Sequence, residues 1–166
     1  MVELLKHGKM KKVFKKIFLI GFIVLLLMQL YQPAHAIDYE PVSAMHFTNT
    51  YAVPEKVETI LKTSCYDCHS NTTNYPWYSK IQPIRMFMDS HIKEGKDNLN
   101  FSEWGNYSSR KQGNKLDRIS KQIKSDEMPL SSYTLIHRNA ILSAVQKEEV
   151  IRWIDKVKDS LSQKNK

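Results

Sequence analysis

The sequence predicts an all-α fold of about four helices, and three observations support this prediction. Apolar residues recur at three- and four-residue spacing in several segments between residues 54 and 161. No segment shows the sustained alternation of apolar and polar residues that is typical of a strand. The 166 residues include only five glycines and contain no internal repeat. We therefore expect one helical domain with sizeable loops, preceded by a separate apolar helix.

The first 36 residues have the pattern of a secretory signal. Six lysines precede Ile17–Leu30, which has no charged residue, and Ala34-His35-Ala36 has the form of a signal-peptidase site. The apolar run is short for a membrane span of about 20 residues, which favours cleavage after Ala36. A retained membrane anchor formed by residues 17–31 is the alternative. Because the lysines precede the apolar run, we expect the rest of the chain to be exported to the periplasm.

The formal charge of +8 is concentrated in the signal-like segment. Residues 1–36 contribute six lysines and one glutamate, whereas residues 37–166 hold 19 basic and 16 acidic residues. The exported part therefore has an ordinary mixed surface, which gives no support for nucleic-acid binding.

The helical domain is predicted to occupy residues 54–161, after a linker formed by residues 37–53. Pro54 is a typical first helical residue, and the acidic Glu55 follows it in the first turn. One face of this first helix carries Val57, Ile60, Leu61 and Ser64.

The second helix is predicted to end at Gly95, a residue type that is common at helix ends. Its face consists of Ile84, Phe87, Met88, His91 and Ile92. After an irregular loop, the third helix carries Leu116, Ile119 and Ile123 among charged residues that we expect to be solvated.

The last helix is predicted to open with a capping box, in which Ser143 and Gln146 cap each other's backbone N–H groups. Its apolar stripe consists of Val150, Ile154, Val157 and Leu161. Between this helix and the third one, Pro129 disfavours helical geometry at Met128. Residues 162–166 are expected to fray.

The two cysteines of the chain lie in Cys65-Tyr66-Asp67-Cys68-His69, and four interpretations compete. A disulfide suits an exported protein but does not explain the histidine. A structural zinc site needs four ligands, so His46, His91 or His137 would have to complete it. A thioredoxin-like dithiol lies at the start of a helix in a βαβ unit, whereas this pair follows a helix in an all-α chain. Finally, C-x-x-C-H is the attachment signature of c-type haem.

The export signal and the histidine both favour covalent haem. One turn presents Cys65 and Cys68 to the two vinyl groups of the porphyrin, and His69 then supplies an axial iron ligand. We therefore expect one haem c per chain.

Met128 is the preferred candidate for the second axial ligand of the iron. It lies in a break between two helices, before Pro129 and 59 residues after His69. Methionine–histidine ligation raises the reduction potential of c-type cytochromes. Other candidates, and an open iron site, stay possible. These other candidates are Met45, Met86, Met88, His46, His91 and His137.

Four blocks of the sequence resemble the bacterial haem-binding domain family of c-type cytochromes. They are CYDCHSNTTNYPWYSKIQP, EGKDNLNFSEW, EMPLSSYTLIHRNAILS and VIRWI, and the resemblance covers about residues 50–158. It implies a cytochrome c-like fold around one covalent haem, with thioethers at Cys65 and Cys68. It also implies that His69 is the proximal ligand and Met128 the distal ligand.

Several aromatic and basic residues are weaker candidates for haem contacts. Trp77, with Tyr75 and Tyr78, is a candidate for the wall of the haem pocket or for a generic apolar cluster. Trp104 is a candidate for packing or for a hydrogen bond to a propionate. Arg85 and Lys93 are candidates for propionate binding or for solvated helix charge.

The sequence therefore predicts an exported monohaem cytochrome that transfers single electrons to redox partner proteins of the cell envelope, rather than a catalyst. A peroxidase-like enzyme or a ligand sensor with an open distal site is the alternative. A haem-free disulfide or metal-binding module is the third hypothesis.

Overall fold

A computed structural model describes residues 2–32 and 44–164. These residues form α-helices and short 3₁₀ helices and no strand, so the all-α prediction is confirmed for them. The α-helices are α1 (Val2–Met28), α2 (Phe47–Thr50), α3 (Glu55–Ser64), α4 (Tyr66–His69), α5 (Ile84–Asn98), α6 (Ser109–Lys124), α7 (Ser131–Thr134) and α8 (Ala144–Lys164). The 3₁₀ helices are Trp77–Lys80, Phe101–Asn106 and Arg138–Ala140.

The described residues belong to two compact units. The first combines the described part of Met1–His35 with Pro76–Ser90, and the second combines the described part of Ala36–Tyr75 with His91–Lys166. The four helices that the sequence predicts correspond to α3, α5, α6 and α8.

In the first unit, the apolar side chains of α1 between Ile17 and Leu27 are exposed. No helix within residues 2–32 and 44–164 is long and apolar enough to cross a membrane, so a retained anchor is not confirmed. The predicted cleavage site near Ala36 lies outside the described residues.

The side chains of Gln29, Gln32 and Arg85 join the residues after α1 to the start of α5 and the segment before it. Gln82 donates its backbone N–H to Gln29 Oε1 at 3.0 Å, and Arg85 Nη1 donates to Gln32 Oε1 at 2.5 Å. The prediction that Arg85 is a solvated charge is therefore wrong, because this side chain is only 4% exposed. Its burial is accommodated by the acceptor on Gln32 and by Asp89 one turn later.

The core of the second unit forms where α3, α6 and α8 pack together. The four residues predicted for the inner face of α3 are all buried, and Leu116 and Ile123 of α6 join them. Val150, Ile154 and Val157 of α8 are also buried, so the predicted stripes of α3, α6 and α8 face the core. In the face predicted for α5, Ile84 and Phe87 are instead exposed. The predicted capping box is present, since Ser143 N donates to Gln146 Oε1 and Gln146 N donates to Ser143 Oγ.

The prediction of a linker over residues 37–53 is wrong for residues 44–53. Phe47 is 1% exposed, and its ring lies 4.7 Å from that of Trp104 and 5.3 Å from that of Trp153. Burying a whole aromatic ring fixes this segment to the core. Residues 37–43 lie outside the described part of the chain.

The predicted ends of two helices also need correction. Helix α8 continues to Lys164, past the predicted start of fraying at residue 162, and helix α5 continues to Asn98 instead of ending at Gly95. A Cβ atom at position 95 would lie 2.6 Å from the Cys68 carbonyl oxygen. Gly95 therefore serves close packing inside the helix rather than helix termination.

Candidate functional site

The cysteine–histidine motif forms a tight turn directly after α3. Cys65 interrupts the helix, and Cys65 O then accepts the backbone N–H groups of Cys68 at 3.2 Å and His69 at 3.0 Å. Both cysteines are free thiols. The turn therefore holds two thiols and one imidazole in neighbouring positions.

The orientation of the His69 ring is set by the backbone at the end of α5. Nδ1 lies 2.9 Å from Gly95 O and 3.1 Å from Leu99 O. Because carbonyl oxygens only accept hydrogen bonds, Nδ1 must carry the proton, and Nε2 keeps its lone pair. Burial lowers the pKa of His69, so the ring is neutral near pH 7. A neutral histidine whose second nitrogen is fixed by a hydrogen bond is the usual form of a metal ligand.

The cysteine environment argues against a redox dithiol. Burial raises the pKa of Cys65 to about 12 and that of Cys68 to about 11. Because the thiolate is the nucleophile in thiol–disulfide exchange, these protonated thiols are poorly suited to it. Within residues 2–32 and 44–164, no three His, Cys, Asp or Glu side chains meet as a metal-binding group, as a structural zinc site would require.

The motif opens onto a cavity of about 360 Å³ in the second unit. Two helices form its long walls, each with residues at positions i, i+3, i+4, i+7 and i+8. The wall from α5 and its end consists of His91, Glu94, Gly95, Asn98 and Leu99. The wall from α6 consists of Lys115, Arg118, Ile119, Gln122 and Ile123. Cys65, Cys68 and His69 line the cavity between these walls.

Met128 lines the same cavity, together with Pro129, Leu130 and Tyr133. Its backbone N–H donates to Gln122 O at 3.2 Å, which fixes the start of this loop to the end of α6. The Tyr133 hydroxyl donates to Asp67 Oδ2 at 2.7 Å, so the same loop is also joined to the cysteine–histidine turn. The structure thus brings together the two sequence segments predicted to form the site.

The remaining candidates for the second ligand have different environments. His91 lines the cavity, so it stays a candidate. His46 accepts the Thr48 N–H at the start of α2, and Met45 lies against Gly105. The ring of His137 stacks on Tyr133 at 4.3 Å, Met86 is 49% exposed, and Met88 is not among the residues that line the cavity.

Neither tryptophan proposed as a haem contact lines the cavity. Trp77 belongs to the first unit and is 76% exposed, so its role as a wall of the haem pocket stays a prediction. Trp104 is fully buried and stacks on Phe101, whose ring lines the cavity. The structure therefore supports a packing role for Trp104, one layer behind the cavity wall.

Sequence reasoning missed Lys115, Arg118, Gln122 and Tyr133 as cavity residues. The first three lie on α6, where the density of charge predicts a solvated face. Together with Ile119 and Ile123, these three residues are spaced so that all five lie on one side of a helix. This spacing was the sequence pattern that could have identified them as cavity residues. Tyr133 had no local signal, since its partner Asp67 is distant in sequence.

The fold is all-helical, and a turn with two cysteines and a histidine faces a cavity. These features are typical of a small cofactor-binding domain. The chain belongs to the haem-binding domain family, whose family model matches residues 23–156. The resemblance read from the four sequence blocks is therefore confirmed at the level of the family. No curated protein and no solved structure matches the chain.

The residues present fit a haem. The site combines two thiols on one turn, an imidazole with a free Nε2, and a cavity with apolar side chains on several sides. A thioether from Met128 lines the same space. Haem binding is thus the function that the family and the local chemistry share.

Proposed function

We propose that this protein is an exported monohaem c-type cytochrome that transfers single electrons in the cell envelope. The observation that carries the proposal is the shared cavity, into which the Cys65–His69 turn and the Met128 loop both open. A haem there supplies an iron that changes its charge by one electron, and the protein supplies ligands, an apolar pocket and a contact surface.

In this proposal the two cysteines attach the haem covalently. Each S–H adds across one vinyl double bond, with sulfur bonding to one carbon and hydrogen to the other, so that no group leaves. Cys65 and Cys68 are suited to this addition because the turn places them on neighbouring positions as free thiols.

His69 and Met128 are the proposed axial ligands, with one haem per chain. His69 Nε2 would ligate the iron, because Gly95 O and Leu99 O hold the Nδ1 proton on the other side of the ring. Such a hydrogen bond raises the basicity of the ligating nitrogen. A thioether ligand from Met128 leaves no open coordination position, which favours electron transfer over peroxidase-like catalysis or ligand sensing.

Absorption spectroscopy of protein matured in a periplasm with a c-haem assembly system tests this proposal. We expect covalently bound haem and, in the oxidised protein, the weak far-red band of methionine-ligated iron. Met128→Ala should remove this band, whereas the control Met86→Ala should keep it because Met86 is exposed. Cys65→Ser with Cys68→Ser should abolish covalent attachment.

Three outcomes would overturn parts of the proposal. Covalent haem in the double cysteine variant would disprove the attachment sites. High-spin iron that binds cyanide in the unaltered protein would favour the enzyme or sensor. Failure to acquire any haem would favour a haem-free module.

The location is part of the proposal and rests on the N-terminal lysines and apolar run. We expect the domain in the periplasm, where redox proteins of the envelope are its partners. N-terminal sequencing of the mature protein distinguishes cleavage near Ala36 from a retained anchor at residues 17–31. Recovery of the haem-loaded domain in the cytoplasm would contradict export.

A further inference from the structure

Two cations lie three residues apart on the cavity-lining side of α6. Lys115 is only 8% exposed, and its Nζ donates to Asn98 O at 2.5 Å and lies 4.4 Å from the centre of the Tyr107 ring. Arg118 lines the cavity one turn later and is exposed. A carbonyl dipole and an aromatic face stabilise Lys115, but neither carries a full negative charge.

No carboxylate forms an ion pair with Lys115 or Arg118 within residues 2–32 and 44–164. Among the cavity-lining residues, which all belong to that described part, Glu94 is the only acidic one. Burial, with repulsion from Lys111 and Arg118, lowers the pKa of Lys115. This wall of the cavity therefore has an excess of positive charge that favours an anion.

A haem brings two anions to the cavity, because it carries two propionate carboxylates on the edge opposite its vinyl groups. The planar fork of an arginine matches a carboxylate with two parallel hydrogen bonds. A lysine held behind it adds positive potential with little loss of side-chain freedom.

We propose that Arg118 binds a haem propionate and that the buried charge of Lys115 supports this binding. The inference rests on the proposed function and identifies the residues that recognise the propionate edge of the cofactor. It also replaces the earlier candidates. Trp104 is a core residue, Arg85 is held by Gln32 and Asp89, and Lys93 is exposed and is not a cavity-lining residue.

A cation paired with a propionate changes the redox chemistry of the nearby iron in a defined direction. Positive charge favours the reduced iron over the oxidised iron, so it raises the reduction potential. It also keeps the propionate ionised by lowering the pKa of that carboxyl group. Loss of the cation should therefore lower the potential and allow the propionate to take up a proton when the iron is reduced.

The test uses the haem-loaded protein and its Arg118→Gln variant. The midpoint potential is measured across the pH range by spectroelectrochemistry, and redox-induced infrared difference spectra report the propionate carboxyl group. We expect Arg118→Gln to lower the potential, to make it depend on pH near neutrality, and to produce the infrared band of a protonated propionic acid. Lys115→Met should lower the potential in the same direction.

Arg110→Gln and Lys121→Met are matched controls on the same helix, because both residues are exposed and neither lines the cavity. Both controls should keep the unaltered potential and infrared spectrum. An Arg118→Gln protein that behaves like Arg110→Gln would overturn the assignment. If Lys115→Met does not fold, Arg118→Gln decides alone, because that side chain is exposed.

Failure of this inference is distinguishable from failure of the proposed function. A protein without covalent haem would contradict the cytochrome itself. A protein with covalent haem and an intact methionine band, but with no response to Arg118→Gln, would contradict only the propionate site.

Discussion

Gly95 shows how one missing side chain shapes the site. Its Cα lies so close to the Cys68 backbone that an added Cβ would approach the Cys68 carbonyl oxygen to 2.6 Å. The same glycine supplies one of the two carbonyl acceptors for His69 Nδ1. The lack of a side chain therefore lets α5 pack directly on the cysteine–histidine turn, which positions the imidazole.

We predict that Gly95→Ala lowers the free energy of unfolding by about 1–3 kcal/mol, because overpacking against backbone forces α5 away from the turn. Chemical denaturation of the haem-loaded protein measures this change. The matched control is Gly113→Ala within α6, where nothing lies within 4 Å of the added Cβ. Gly113→Ala should stabilise the protein by roughly 0.5–1 kcal/mol through its helix propensity. Equal effects of the two substitutions would contradict the packing role of Gly95.

Residues whose chemistry is local were predictable, and residues whose role depends on packing were not. Cys65, Cys68 and His69 were recognised as a unit because one turn determines their relation. Met128 was predicted to belong to the same site because Pro129 removes it from helical geometry. The cationic wall of the cavity was missed because the sequence does not show which charged face of α6 meets a pocket. Gly95 was misread because a glycine needed for close approach looks the same in sequence as a helix terminator.

At the scale of elements, the Met128 loop is held in place from two sides. Gln122 O accepts the backbone N–H groups of Glu127 and Met128 where α6 ends. The Tyr133 hydroxyl, in α7, donates to the Asp67 carboxylate of the cysteine–histidine turn. Short elements that bury little surface need such polar ties to keep one conformation.

We predict that Tyr133→Phe destabilises the haem-loaded protein by about 1–2 kcal/mol, because it removes a hydrogen bond to a charged group. It should also weaken Met128 ligation, so the far-red band should disappear at a lower temperature than in the unaltered protein. Thermal melts followed at the far-red band report the loss of Met128 ligation. Melts followed by circular dichroism report the global unfolding of the helices.

A double-mutant cycle with Asp67→Ala tests whether these two residues act as a pair. The effects of the single substitutions should then not add in the double variant. Full additivity would show that Tyr133 acts through other contacts, and a band with unchanged thermal stability would contradict its role in holding the loop.

Element length determined what the sequence could predict. Helices α3, α5, α6 and α8 span enough residues for apolar spacing to show a face. In contrast, α2, α4 and α7 have four residues each, too few for any period to be visible. These short helices carry Phe47, the cysteine–histidine turn and Tyr133. Much of the site therefore depends on helices that are too short to be predicted from the spacing of apolar residues.

At the scale of the whole molecule, residues 44–53 are part of the folded second unit. The ring of Phe47 makes edge contacts with Tyr51, Phe101, Trp104 and Trp153. These partners come from different parts of the chain. A single side chain therefore joins the start of the unit to its last helix.

We predict that Phe47→Ala lowers the free energy of unfolding by about 3–5 kcal/mol, because it leaves a cavity in a buried aromatic cluster. Chemical denaturation followed by tryptophan fluorescence measures this loss. Phe87→Ala is the matched control at a side chain that is 58% exposed, and it should change stability by less than about 0.5 kcal/mol. A small change in the free energy of unfolding for Phe47→Ala would instead support the prediction that residues 44–53 are a linker.

The cavity between α5 and α6 has a consequence for how the protein depends on its surroundings. Ile119, Ile123 and Leu130 line it, so the fold is most stable when an apolar group covers them. A ligand that binds reversibly stabilises a protein only in proportion to the logarithm of its free concentration. A haem attached through Cys65 and Cys68 cannot leave, so dilution or scarcity of free haem would not reduce its contribution. If the domain is exported as proposed, the covalent bond would make its stability independent of the supply of free haem in the periplasm.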